Sequence, residues 1–303
     1  MLEPITAKNK IEVKPSEIGA NIYDWIELII DINGVTDNDI ITLQNDIDSI
    51  FINNKDMYVK EETGLNEFEI NNYIKRNLGE ISPAAKKRMI ERDVVTRYSD
   101  IDNSRIVTIS RAYISVKLFY VINHKLKDNI VLIQRISECF NKIAFYDILR
   151  VTLIKVNKVV CTSLYKLYQC LNRFMFGDVG YSLSRRGKKV DVAFTSVNSE
   201  FECNFSNYVI NKSIKQGMLN EDKRKFVYEG ILGMQGSYES NAFEDVEVNK
   251  KFVELNDMFY LIFLEHITSS FLLDMINGET TKVLRGFKKN GIKQQLGRDI
   301  EKT

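Results

Sequence analysis

No glycine occurs between Gly79 and Gly177, and no proline follows Pro83. Glycine and proline are the strongest local breakers of regular structure, so this long interval is expected to hold consecutive helices. Its start has the right signals: Ser82-Pro83 before Ala84-Ala85-Lys86-Lys87-Arg88 looks like an N-cap with proline at the first helical position. Further on, Ile148, Val151, Ile154, Lys155, Lys158, Cys161, Leu164, Leu167 and Leu171 recur at three- and four-residue spacing. That stripe predicts a helix over 148–176, with its lysines and arginines on the outer face. Residues 105–123 hold β-branched and aromatic side chains that fit either strand or helix.

The head of the chain reads in the same way. Residues 22–30 have apolar positions at helical spacing and stop at Asn33-Gly34, a turn signal. Residues 36–52 predict a second amphipathic helix, with Asp37 or Asn38 as its cap. After Gly180 the period changes. Three short runs, 181–184, 190–195 and 200–206, predict a meander of strands. A helix is expected to open at Asn220-Glu221-Asp222 and run through Ile231. Residues 252–277 are apolar and end near Gly278, and the tail after 286 is polar. No internal repeat is visible.

Charge is unevenly spread although the net is +1. Residues 1–83 hold 16 acidic and 7 basic side chains, residues 84–189 hold 8 and 21, and the remainder holds 17 and 14. A basic middle beside an acidic head points to a polyanion surface; the competing reading is that these charges solvate long helices. The four cysteines form no C-x-x-C pair, and only His124 and His266 could join them. That argues against a Cys/His zinc site and for reduced, buried thiols. The N-terminus lacks the apolar core of a secretory signal, and the longest apolar stretch, 258–264, is too short to span a bilayer. The expectation is an intracellular protein of cytoplasm or nucleus, with no membrane partner.

The segment with most chemistry is Ser184-Arg185-Arg186-Gly187-Lys188-Lys189-Val190-Asp191, followed by Glu200-Phe201-Glu202-Cys203-Asn204-Phe205. In a strand, alternate side chains share a face, so Glu200, Glu202 and Asn204 would look away from Phe201, Cys203 and Phe205. If the two segments pair, Asp191 approaches Glu202 or Glu200. Two close carboxylates call for a counter-cation, and an oxygen-only set suits Mg²⁺. Arg185, Arg186, Lys188 and Lys189 would hold a phosphate backbone at the entrance. The bland reading places these acids on the solvent face of amphipathic strands.

Asp191 on one strand, then Glu202-x-Asn204 on the next, resembles the PD-(D/E)XK nuclease-like superfamily over about residues 145–275. The resemblance implies Asp191 and Glu202 as metal ligands, Glu200 or Asn204 completing the shell, and Mg²⁺-dependent hydrolysis of phosphodiesters. Asn204 stands where that family has lysine, and Lys223 or Lys225 from the following segment would stand in. It also implies an α/β core with a small mixed sheet. The expected fold is therefore α+β and predominantly helical. An acidic helical module covers 1–80, a basic connecting region 81–144, the nuclease-like domain 145–285, and a polar tail 286–303. The expected function is nucleic-acid binding with metal-dependent cleavage if the site is active. The alternative is a non-enzymatic RNA-coating or assembly protein using the basic region 84–189.

Overall fold

Strands make the frame of this molecule. The computed structural model describes residues 12–18, 22–52, 59–62, 95–100, 103–119, 126–176, 182–185, 188–191, 196–203, 206–218, 226–239 and 245–279. The chain divides into two compact units: an N-terminal unit of residues 26–153 with 237–253, and a C-terminal unit of residues 1–25 and 154–236 with 254–303.

Strand β1 (Tyr23–Asn33) ends at Gly34, which has φ of +80°. A Cβ built there would stand 1.6 Å from the Phe145 carbonyl oxygen, so only glycine fits this turn. Helix α1 (Asp37–Ile52) follows, and its start is closed by a reciprocal pair. The Asp39 amide donates to Thr36 Oγ1 (3.3 Å), and the Thr36 amide donates to Asp39 Oδ2 (2.8 Å). Thr36, not the expected Asp37 or Asn38, does the capping. Strands β2 (Val59–Glu62), β3 (Val95–Ser99), β4 (Arg105–Ser110) and β5 (Tyr113–Phe119) then pair antiparallel in sequence. Helix α2 (Leu126–Phe140) buries Ile130, Ile133, Ile136 and Phe140. On α1, Asp48 accepts from the Tyr98 hydroxyl (2.6 Å), and Phe51 stacks on the Tyr98 ring at 4.0 Å.

Strand β6 (Asp147–Cys161) leads into helices α3 (Leu164–Cys170) and α4 (Arg173–Phe176). Next come β7 (Ser182–Arg185), β8 (Lys188–Asp191), β9 (Ser196–Cys203), β10 (Ser206–Met218) and β11 (Phe226–Glu239). Helices α5 (Asp245–His266) and α6 (Ser269–Ile276) close the described chain. The core of the C-terminal unit includes Leu167, Val227, Leu255, Phe259, Phe271 and Leu272. Among the described residues, no helix is long and apolar enough to cross a membrane.

Nine strands share one sheet in the order β2-β3-β4-β5-β1-β6-β11-β10-β9, while β7 and β8 form a separate two-stranded sheet. Taken one run at a time, the order is β1-β5-β4-β3-β2 for the first five strands and β6-β11-β10-β9 for the later ones. Each run opens with a strand, passes through helix, and ends with a strand that returns beside the opening one. Among the described residues the two runs share this plan, apart from β7 and β8, which pair only with each other.

This overturns the expected predominantly helical fold with a small mixed sheet. Residues 22–30 and the first half of 148–176 are the strands β1 and β6, and Ile231 lies in β11 rather than at a helix end. The reason is burial. Leu28 through Ile32 are all buried, and so are Val151 through Leu153. A strand covered on both faces reads as a continuous apolar run, in which three- and four-residue spacings occur by coincidence.

Candidate functional site

Between Ile154 and Val159, β6 alternates without a break. Lys155, Asn157 and Val159 are buried, while Ile154, Val156 and Lys158 are half-buried. Strand geometry sends these two sets to opposite faces.

The buried set meets α5. The Lys155 amine donates to Asn256 Oδ1 and lies 5.1 Å from the centroid of the Tyr23 ring. Removal from water pushes this amine down from 10.5 to about 7, opposed by the charge of Asp257. The same cause pushes the Tyr23 hydroxyl up to about 12. Tyr260, whose hydroxyl donates to the Val13 carbonyl at 2.8 Å, is also raised to about 12 by burial, with Tyr23 and Glu17 adding to it. Near neutral pH, Lys155 therefore spends much of its time as a free amine. At 3% exposure it is nevertheless closed to any bulky reactant. The Asn157 amide is buried two residues on, with neither of its polar atoms hydrogen-bonded.

The half-buried set faces the other way. Lys158 Nζ lies 3.4 Å from Glu229 Oε2 on β11 and 3.8 Å from Asp24 Oδ2 on β1. These strands flank β6, so the three residues form a row of charge across the sheet. The same face continues through Ile231, Gly233 and Gln235 on β11. On β10 it continues through Val209, Asn211, Ser213 and Lys215. A Cβ built on Gly233 would lie 3.6 Å from the Asn211 Cβ, which makes these two neighbours. Asn211 and Lys215 are exposed, and the others are half-buried.

Helices lie on the opposite side of these strands. The Tyr208 and Phe259 rings meet edge to face, with centroids 6.2 Å apart. Gly236 sits against Leu255 and Phe259, and Gly230 against Leu167 and Leu171. The helix contacts described for β6, β10 and β11 all fall on that side. Among the described residues, the face away from those helices combines β-branched side chains, two amides, a glycine, and a cation held between two carboxylates. It can lie flat along an extended polymer, with its amides donating and accepting at the same time.

Asp191 is the last residue of β8 and is paired with Ser182 of β7. Glu200 and Glu202 lie on β9, opposite Val209 and Asn207 of β10. Strands β8 and β9 thus belong to different sheets and take different partners. Arg185 lies on β7, opposite Lys188, and Lys189 is opposite Ser184. The side chains of Asp191, Glu200, Glu202, Arg185, Lys188 and Lys189, together with Asn204, Lys225 and Arg186 as a whole, fall outside the described residues. Among the described residues, no group of three or more metal-ligating side chains is found.

Sequence reasoning passed over Lys155, Lys158, Asn211 and Gln235. The signal for the first two was present: Val151, Ile154, Val156, Val159 and Val160 are β-branched, and charge alternates with apolar character through 154–159. No protein-family model matches this chain, and no curated protein matches it.

Proposed function

We propose that the protein binds nucleic acid, without cleaving it, on the face of β6, β11 and β10 that lies opposite the described helices. The observation that carries this reading is the composition of that face. Asn211 and Gln235 present amides, and Gly233 beside them leaves room for close backbone approach. Ile154, Val156, Val209 and Ile231 offer half-buried apolar contact. Sheet-based readers lay strands into a groove, use amides on base edges, and press apolar side chains against sugars and bases. The basic balance of residues 84–189 supports a polyanion partner as well.

The measurement is fluorescence anisotropy with labelled duplex DNA, single-stranded DNA and RNA, in chelator, so that binding is scored without cleavage. The double variant Asn211→Ala/Gln235→Ala is expected to lose about tenfold or more in affinity, with an unchanged circular dichroism spectrum. Wild-type binding that is absent at low salt, or retained in full by the double variant, removes this reading. Cleavage appearing only when Mg²⁺ is added, and lost in Asp191→Ala, would favour hydrolysis instead.

A further inference from the structure

The C-terminal end of β6 holds a second kind of chemistry. Cys161, its last residue, and Cys170, the last residue of α3, are both fully buried and neither is in a disulfide. Their thiols are hydrogen-bonded to each other. Eight residues separate them, turned back by the Ser163 cap, whose hydroxyl accepts from the Lys166 amide at 3.2 Å. The far end of α3 is tied down as well. The Cys170 carbonyl accepts from the Thr268 amide at 2.8 Å, and Leu171 forms a bridge with Ile267. Two thiols in mutual contact, each anchored by its own element, are held where one sulfur can reach the other.

We propose that Cys161 and Cys170 are an oxidative modification site, closing to an intramolecular disulfide on exposure to a peroxide. The Cys161 thiol is the one to react first, because its partner's hydrogen bond, with the positive charge of Lys166, outweighs burial and favours its thiolate. That thiolate attacks a peroxide oxygen and breaks the O–O bond. It becomes a sulfenic acid, and the departing hydroxide takes up the proton as water. Cys170 then attacks the Cys161 sulfur, the S–O bond breaks, and a second water leaves. Two thiols have been oxidised by two electrons, and one peroxide has been reduced. Access comes through local opening of α3, a helix of seven residues that carries Cys170 at its end. The reaction is therefore expected to be slower than at the half-buried thiol of Cys139.

The test uses the full chain carrying Cys139→Ser and Cys203→Ser, so that the pair alone remains. After hydrogen peroxide, the expected product is lighter by two hydrogens, resists alkylation when unfolded, and yields one peptide cross-linking positions 161 and 170. Its Tm is expected to rise by a few degrees and to return on treatment with a thiol reductant. Adding Cys170→Ser is expected to stop the reaction at a sulfenic acid trapped by a dimedone probe. Thiols that stay alkylatable after unfolding, or sulfinic acid without a cross-link, would overturn the proposal, and the pair-only chain decides this even if Cys170→Ser fails to fold.

Discussion

Among the described residues, Lys155 carries the clearest pH signature. Its amine sits at about 7 in the folded protein and at 10.5 when free in water. A group with a lowered folded value contributes least below that value, where the buried site must hold a charge. Its contribution grows as pH rises from about 7 and is complete above 10.5. The full span corresponds to roughly 4–5 kcal/mol. Tyr23 and Tyr260, raised from 10.0 to about 12, act in the opposite sense, but only above pH 10. Stability to urea should therefore climb between about pH 7 and about pH 10. Lys155→Met keeps the stem, removes the charge and should flatten that climb; an unchanged slope would show that another group carries it. His266 gives the corresponding effect on the acid side. It is buried, its Nδ1 contacts the Ile262 carbonyl at 2.6 Å, and burial lowers its pKa, with Lys212 contributing in the same direction. Stability should fall as pH drops below about 6.5, and His266→Gln should lose less over that range than the wild type. Neither residue stands out in the sequence, where Lys155 reads as one more cation on a helix and His266 as a lone histidine. Their chemistry is set by burial, which one sequence does not display.

At the scale of elements, legibility followed the number of covered faces. Helix α1 was legible because it shows one apolar side and one polar side, whereas 252–277 read only as apolar and its division into α5 and α6 was not foreseen. Strands β1 and β6 were not, since both faces are buried over much of their length and the alternation appears only at 154–159. The three short strands after Gly180 were expected, but their partners were not. Pairing is a long-range choice, and nothing within 181–206 says that β9 joins β10 in the large sheet while β8 stays with β7. The same sheet supplies a test of its two sides. A Cβ at Gly236 would stand 2.8 Å from Leu255, 2.9 Å from Tyr208 and 3.1 Å from Phe259, all on the helix side. At Gly233 the nearest atoms are Asn211 Cβ at 3.6 Å and its carbonyl oxygen at 3.7 Å. Gly236→Ala should destabilise by about 1–3 kcal/mol, the range for overfilling a packed interior. Gly233→Ala should stay within about 0.5 kcal/mol and weaken nucleic-acid binding instead. Equal losses of stability in urea at the two positions would mean that the Gly233 face is as tightly covered as the other.

For the whole molecule, charge decides how a nucleic acid would be held. A net charge of +1 spread over 303 residues gives little long-range attraction, whatever the imbalance between segments. On the proposed face, Lys158 is already matched by Asp24 and Glu229, which leaves Lys215 as its exposed cation among the described residues. Binding there must come from amide and apolar contact more than from counterion release. The plot of log affinity against log salt should then have a shallow slope, of magnitude about 2 or less, because each neutralised phosphate contributes roughly 0.9 on duplex DNA. Glu229→Gln removes one of the two carboxylates beside Lys158 and should both tighten binding and steepen the slope by about one. A wild-type slope steeper than about 5, with no response to Glu229→Gln, would move the contact away from this sheet face and onto the basic stretch 84–189. The alternation along β6 would then be no more than the signature of a packed strand.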